Sequence, residues 1–226
     1  ITGATTFNIL TINKTASSNV VSLQNNVTVP VINMTTGSVL TGANTLTITT
    51  TRNGNGIIMG TITRTHTFSM AVDYAFEGPD NTINFSAVSG VTSITVYVAA
   101  GSISDYPNGS AINRVYNITV PSGTYVAKLR LHYEDAELNG NDETAMQLIR
   151  YNGASWAVSG KTGNSTTSNY VEQSTLTNIT NRWTCAAATG VISWNGSVST
   201  DWNNAANWTV VSGTPSAPPS VNDIVQ

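Results

Sequence analysis

Charge is what this 226-residue chain has least of: nine Lys and Arg, twelve Asp and Glu, two His and a formal net charge of −3. Charged residues make up 9% of the chain, far below the ~25% of an average soluble domain, which argues against a coiled coil or a cytosolic enzyme. Nine scattered cations cannot form a patch that tracks phosphates, so nucleic acid is not an expected partner. The single cysteine, Cys185, excludes an internal disulfide and leaves the redox compartment open. It lies beside Trp183 in NRWTCAAA with no base near it in sequence, and reads as a small core hydrophobe. No apolar run approaches the ~20 residues of a membrane-crossing helix, and nothing at the start resembles a signal peptide. The two histidines, His66 and His132, have no partner at metal-binding spacing, so neither a structural zinc nor a His-based triad is expected. Nucleophile-elbow, P-loop and dinucleotide motifs are likewise missing.

What the chain does have is Thr, Asn and Ser, at 84 positions together, with 40% hydrophobic residues. That is too apolar and too weakly charged for a disordered chain, and the expected fold class is all-β. From Phe7 to Ile48 the text reads FNILTI, VVSL, VTVPVINM and TLTI, short runs of period-two alternation separated by Asn, Ser, Thr and Gly. The first 72 residues contain no Asp or Glu, and their only Lys and Arg are Lys14, Arg52 and Arg64. Neutral Asn and Thr can ladder between stacked strands without like-charge repulsion, so residues 1–60 are expected to be β-solenoid-like. An ordinary antiparallel meander would use the same alternation.

Residues 61–190 carry a second texture of eight or nine short strands at regular spacing with turn signals such as GPDN, PSG and NGND between them, the pattern of a β-sandwich. In AKLRLHYE one face holds Leu129, Leu131 and Tyr133 and the other Lys128, Arg130 and His132, giving a core face and a wet face. Residues 191–226 hold three of the five tryptophans, then Pro215, Pro218 and Pro219, then VNDIVQ. This third stretch reads as a junction leading into a further solenoid module, and both ends of the chain read as cuts through a longer polypeptide.

The pattern WNGSVSTDWNNAANW, the Pro-containing turn and NDIVQ, with Asn/Thr-rich text such as FNILTINKT, resemble the recurring units of very large cell-surface and secreted proteins of Bacteroidota-type bacteria. Residues 129–156 are similar to a sandwich module of the same proteins. The resemblance implies an internal fragment of an adhesin or filament-like protein exported by the type IX secretion system, with solenoid and sandwich modules in tandem. Its implied setting is extracellular or on the cell surface, and its implied partners are adjacent copies or modules, head to tail. The export signal and C-terminal sorting domain of that family are not in this chain.

Two constellations could bind something. The segment EDAELNGNDE offers Glu134, Asp135, Glu137, Asn139, Asn141, Asp142 and Glu143, hard oxygen donors around a glycine bend that suit Ca²⁺. Their order does not match an EF-hand loop, and a solvated acidic hairpin shaped by Asn141 and Asp142 would need the same residues. Trp194, Trp202 and Trp208 are candidate ligand-binding residues, since exposed indoles stack on sugars, or they are core anchors of the junction. Trp156 and Trp183 are expected in the core.

Three function classes follow. The first is a structural segment of a surface protein, and the second a carbohydrate-binding module that recognises surface glycans. The third, a polysaccharide-cleaving β-helix enzyme, lacks its chemistry, because such catalysis needs carboxylates or a metal-bound base on the solenoid. No enzyme activity, catalytic residue or obligate cofactor is expected, Ca²⁺ being the one candidate ion.

Overall fold

The computed structural model describes residues 5–107, 111–187, 190–212, 217–219 and 223–225, and it is all-β, with no α-helix among them. In chain order the strands are β1 Thr5–Thr6, β2 Ile9–Asn13, β3 Val20–Ser22, β4 Val27–Thr36, β5 Ser38–Asn53 and β6 Ile58–Thr65. They continue with β7 Asp73–Ala75, β8 Thr82–Ser89, β9 Ser93–Ala100, β10 Arg114–Thr119 and β11 Thr124–His132. After a 3₁₀ turn at Asp135–Glu137 come β12 Met146–Tyr151, β13 Trp156–Gly160, β14 Gly163–Ser165, β15 Tyr170–Leu176, β16 Asn181–Ala187 and β17 Val191–Trp194. A second 3₁₀ turn at Ala205–Asn207 precedes β18 Trp208–Ser212 and β19 Ile224–Val225.

Most of these strands belong to one large sheet ordered β1-β4-β5-β6-β9-β10-β16-β12-β13, with β2 also paired to β4 and β3 to β5. Its first part is parallel: β1 and β2 on β4, β3 and β4 on β5, β5 on β6. From β6 onward every pair is antiparallel. A second sheet, β14-β15-β11-β8-β7, is antiparallel throughout, and a small third sheet is ordered β18-β17-β19. The expected change of texture at residue 60 falls inside β6, the strand that joins the parallel and antiparallel parts.

Register explains why the alternation in the sequence carries so much. Val27, Leu46, Ile62, Val96 and Ile118 stand opposite one another across β4, β5, β6, β9 and β10, and all are buried. One residue further along, the opposite face carries Thr6, Thr28, Thr47, Thr63, Thr95 and Thr119 in a single cross-strand row from β1 to β10. Thr63 and Thr95 share a hydroxyl hydrogen bond of 2.9 Å. A second ladder runs Thr11, Asn33, Asn53, with amide bonds of 3.4 and 2.9 Å between neighbours. In these rows, through parallel and antiparallel pairs alike, Thr stands beside Thr and Asn33 beside Asn53, a pairing of like with like that β-branched and amide side chains tolerate and charges do not.

The inward residues of both large sheets form one hydrophobic cluster, which includes Ile62, Val96, Trp183 and Cys185 from the first sheet and Phe85, Leu129, Leu131 and Val171 from the second. Leu129, Leu131 and Tyr133 are fully buried as the alternation requires. On the outer face of the second sheet Arg130 pairs with Glu172 at 2.8 Å and Asp80 at 3.4 Å, so charge collects there rather than on the threonine face. Burial raises the Cys185 thiol well above its usual range, as suits an inert core residue. Trp183 is buried with its indole N–H bonded to Ile179 O at 2.7 Å, and Trp156 is buried in a smaller cluster with Tyr106, Ala111, Ile149 and Ala186.

Gly60 is needed where β5 slips register between Leu40 and Thr45. Buried Thr41 there accepts the Thr61 amide on its hydroxyl at 2.8 Å, in place of a ladder carbonyl. Gly60 has φ +103°, and a Cβ would overlap that hydroxyl. Gly60→Ala is therefore expected to lower stability by about 2 kcal/mol or more, from left-handed strain plus the clash. Chemical denaturation measures it, and a change within about 0.5 kcal/mol would show that the slip can absorb a side chain.

Candidate functional site

The acidic segment forms the turn that its Asn-Gly pair suggests, with Asn139 and Gly140 both at positive φ. Its oxygens do not converge. Glu137 is buried and grips Arg114, Oε2 to Nε at 2.6 Å and Oε1 to Nη2 at 3.1 Å. Asp135 accepts from the Asn169 amide at 2.6 Å, and Glu143 from the Tyr133 hydroxyl at 2.8 Å. Asp142 closes its own turn by accepting from the backbone and hydroxyl of Thr144, which hold its carboxyl below the usual carboxylate range. Asn141 accepts from Ala187 N at 2.7 Å, and Asn139 donates to Ala111 O at 2.9 Å. Glu134 is exposed and 4.0 Å from His132.

Among the described residues no group of three or more His, Cys, Asp or Glu is placed to hold a metal ion. The segment works as a staple that joins β10, β11 and β16, and its oxygens are committed to separate partners. Thermal melting in EDTA is accordingly expected to match melting in Ca²⁺. A transition several degrees higher with Ca²⁺ would restore the cation reading, since ligand binding to the native state raises the midpoint.

What the sequence did not reveal is an ionic knot centred on a fully buried carboxylate. Glu77, which follows β7, is inaccessible to solvent. Its carboxylate accepts from Arg114 Nη1 and the Tyr116 hydroxyl, and lies 3.3 Å from His132 Nδ1. Its backbone carbonyl accepts from Ile58 N at 2.9 Å and Arg52 Nη2 at 3.1 Å. One residue thereby fastens β5, β6, β10 and β11 together. Burial lowers the His132 pKa from its ordinary value of 6.5, helped by the positive Arg114, and raises that of the Tyr116 phenol. His132, expected on a wet face, is instead mostly covered, because the Glu77 carboxylate draws it in.

Arg52 and Arg64, the two arginines of the acid-free stretch, are also buried. Arg52 donates to the carbonyls of Gly54, Gly56 and Glu77, and Arg64 to those of Ala75 and Thr50. Desolvation draws both down to about 10. These cations are structural, bonded to backbone where strands end.

The tryptophans do come together. Trp194 and Trp208 stand directly opposite in the β17–β18 pair, with ring centres 4.9 Å apart and planes at 73°. Trp202, from the loop between these strands, stacks on Trp194 at 5.7 Å and 15° and meets Trp208 edge-on at 4.5 Å. Trp208 is 7% exposed and bonds its N–H to Trp202 O at 3.0 Å, while Trp202 is 52% exposed. The loop is tied by buried Asn207. Its side-chain oxygen accepts from Val198 N and Ser199 N at 3.0 Å each, and its amide donates to Ser199 Oγ at 3.0 Å and Asp201 O at 2.9 Å. The Pro215 and Val221–Asn222 parts of the expected junction lie outside the described residues. Comparison of the chain with protein-family models, curated proteins and solved structures returns no match.

Proposed function

We propose that the chain is a structural segment of a large modular cell-surface or extracellular protein, an adhesin or fibre, with adjacent copies or modules as head-to-tail partners. In this reading the parallel strands are a short β-solenoid, the antiparallel part of the large sheet and the second sheet form a β-sandwich, and residues 191–226 begin a further module. The observation that carries it is the uninterrupted cross-strand threonine row from β1 to β10 above an apolar row on the other face. A repeating, uncharged stack of that kind serves to extend and stiffen a chain. The parallel end supports the same reading: β2 and β3 each pair on one side, leaving Ile9 and Val20 more than half exposed at an open edge, which neighbouring strands would cover. The buried carboxylates also support a structural over a catalytic role, since Glu77 and Glu137 are committed to Arg114 inside the core.

Small-angle scattering and imaging of two copies joined in tandem would test it. The expected particle is elongated, with a length that grows by a constant step per copy. Compact particles, or modules tumbling independently on a flexible joint, would overturn it.

A further inference from the structure

We propose that Trp202 is a stacking platform for a neutral saccharide, a site independent of the structural-segment reading. At Trp202, exposure and order do not match. An indole that is 52% exposed is ordinarily a surface accident, yet here it is held by two neighbouring rings. It stacks on Trp194 with planes at 15° and stands nearly perpendicular to Trp208 at 84°. The loop that carries it is cross-braced by Asn207, which is inaccessible to solvent and makes four hydrogen bonds within it. The Trp202 backbone is fixed as well, through its carbonyl to Trp208 Nε1. Such bracing removes in advance the ordering cost that an exposed ring would meet on binding, and a rigid aromatic ring supplies contact area at little further entropy.

The chemistry around the ring selects the ligand. Asn195, Thr200, Asp201 and Asn203 are exposed in the same loop, so the loop that carries the apolar plate also offers short hydrogen-bonding groups. A pyranose matches this, with its C–H face on the indole and its hydroxyls toward those groups. Residues 191–226 contain two Asp and no Lys, Arg or His, so an acidic sugar would meet Asp201 with no cation from its own segment to balance it. A quaternary ammonium needs an open aromatic box, and the three rings are packed on one another with centres 4.5–5.7 Å apart. Trp194 and Trp208 are thus supports, and Trp202 alone of the three is assigned to contact the sugar.

Affinity electrophoresis of the full chain through gels containing neutral polysaccharides (a β-glucan, a galactomannan, a soluble chitin derivative), with fluorescence titration of their oligosaccharides, tests the proposal. Retardation by at least one neutral polysaccharide is expected, with affinity falling about tenfold or more in Trp202→Ala and partly kept in Trp202→Phe, while the melting temperature of both variants stays near that of the parent. No retardation by any of them, equal retardation in Trp202→Ala, or retardation by acidic polysaccharides only would overturn it. So would a Trp202 emission that becomes shielded when two copies are joined in tandem without sugar, which would make the ring a contact between modules. Elongation of the tandem particle is unaffected by any of these outcomes, so the two proposals fail separately.

Discussion

Replacing Arg114 by methionine is expected to destabilise the fold by about 3–5 kcal/mol, the usual cost of removing one partner from a buried ion pair. Arg114 sits between Glu77 and Glu137, all three buried, and among the described residues it is the cation that holds the Glu137 carboxylate. Without the guanidinium, two carboxylates are left in a low-dielectric interior, and each must take up a proton or admit water. The loss should therefore shrink when Glu77→Gln and Glu137→Gln are added, because amides cost less to bury than charges. Denaturant unfolding of the single and triple variants measures both steps. A single variant within about 1 kcal/mol of the parent would show that the knot is not what holds β10 to the Glu77 loop.

The same knot fixes the direction of one pH effect. His132 faces Glu77, Arg114, Glu134, Glu137 and Asp80, and desolvation keeps its folded pKa below the ordinary 6.5. Below pH 6.5 the unfolded chain therefore binds a proton at this position that the folded chain resists. Stability should fall as pH drops from 6.5 toward the folded value, and remain level in this respect above 6.5. His132→Gln should flatten that limb of the stability profile. A profile equally steep in the variant would assign the slope to carboxylates alone.

How much of this could be read in advance differs from element to element. The all-β class and the buried face of β11 follow from two-residue alternation, which any half-buried strand shows. Parallel or antiparallel pairing does not follow, because both ladders alternate with the same period. Strand β15, YVEQSTL, has one fully buried apolar residue, Val171, and so leaves no periodic trace despite pairing with β11. The Asn139–Gly140 turn is local chemistry and is visible in sequence. The fate of the acidic donors around it is not local: Glu137 is claimed by Arg114 and Asp135 by Asn169, 23 and 34 positions away. Arg52 and Arg64 stand in an acid-free stretch with no partner legible in sequence, and only the strand ends that converge on them show the carbonyls they satisfy. Among the tryptophans, composition could mark a cluster, while which ring stays exposed depends on a loop braced by Asn207.

An excised fragment of residues 1–65 is expected not to fold into a cooperatively melting monomer, even though it contains every parallel strand of the large sheet. Its last strand, β6, owes one whole edge to β9, from Gly60 opposite Val98 to Thr65 opposite Ser93. Cutting there exposes a ladder of backbone donors and acceptors beside the Ile62 row. Covering Ile58 and Ile62 contributes about 1.5–3 kcal/mol per side chain, and part of that cover comes from the cluster shared with Val96, Phe76 and Phe85. The buried arginines would also lose their anchors, since Arg64 bonds Ala75 O and Arg52 bonds Glu77 O, while Ile58 N bonds the same Glu77 carbonyl. Two guanidiniums would then stand at a raw edge with fewer acceptors. The opposite end of the stack is open too, at β2 and β3, so the fragment would have unsatisfied edges at both ends, and association is the readiest way to cover them. Circular dichroism on heating, with sedimentation to report mass, decides the matter. Aggregated or unfolded material is the expected result, and a soluble monomer with a single sharp transition would mean that the parallel strands carry their own stability without the antiparallel part.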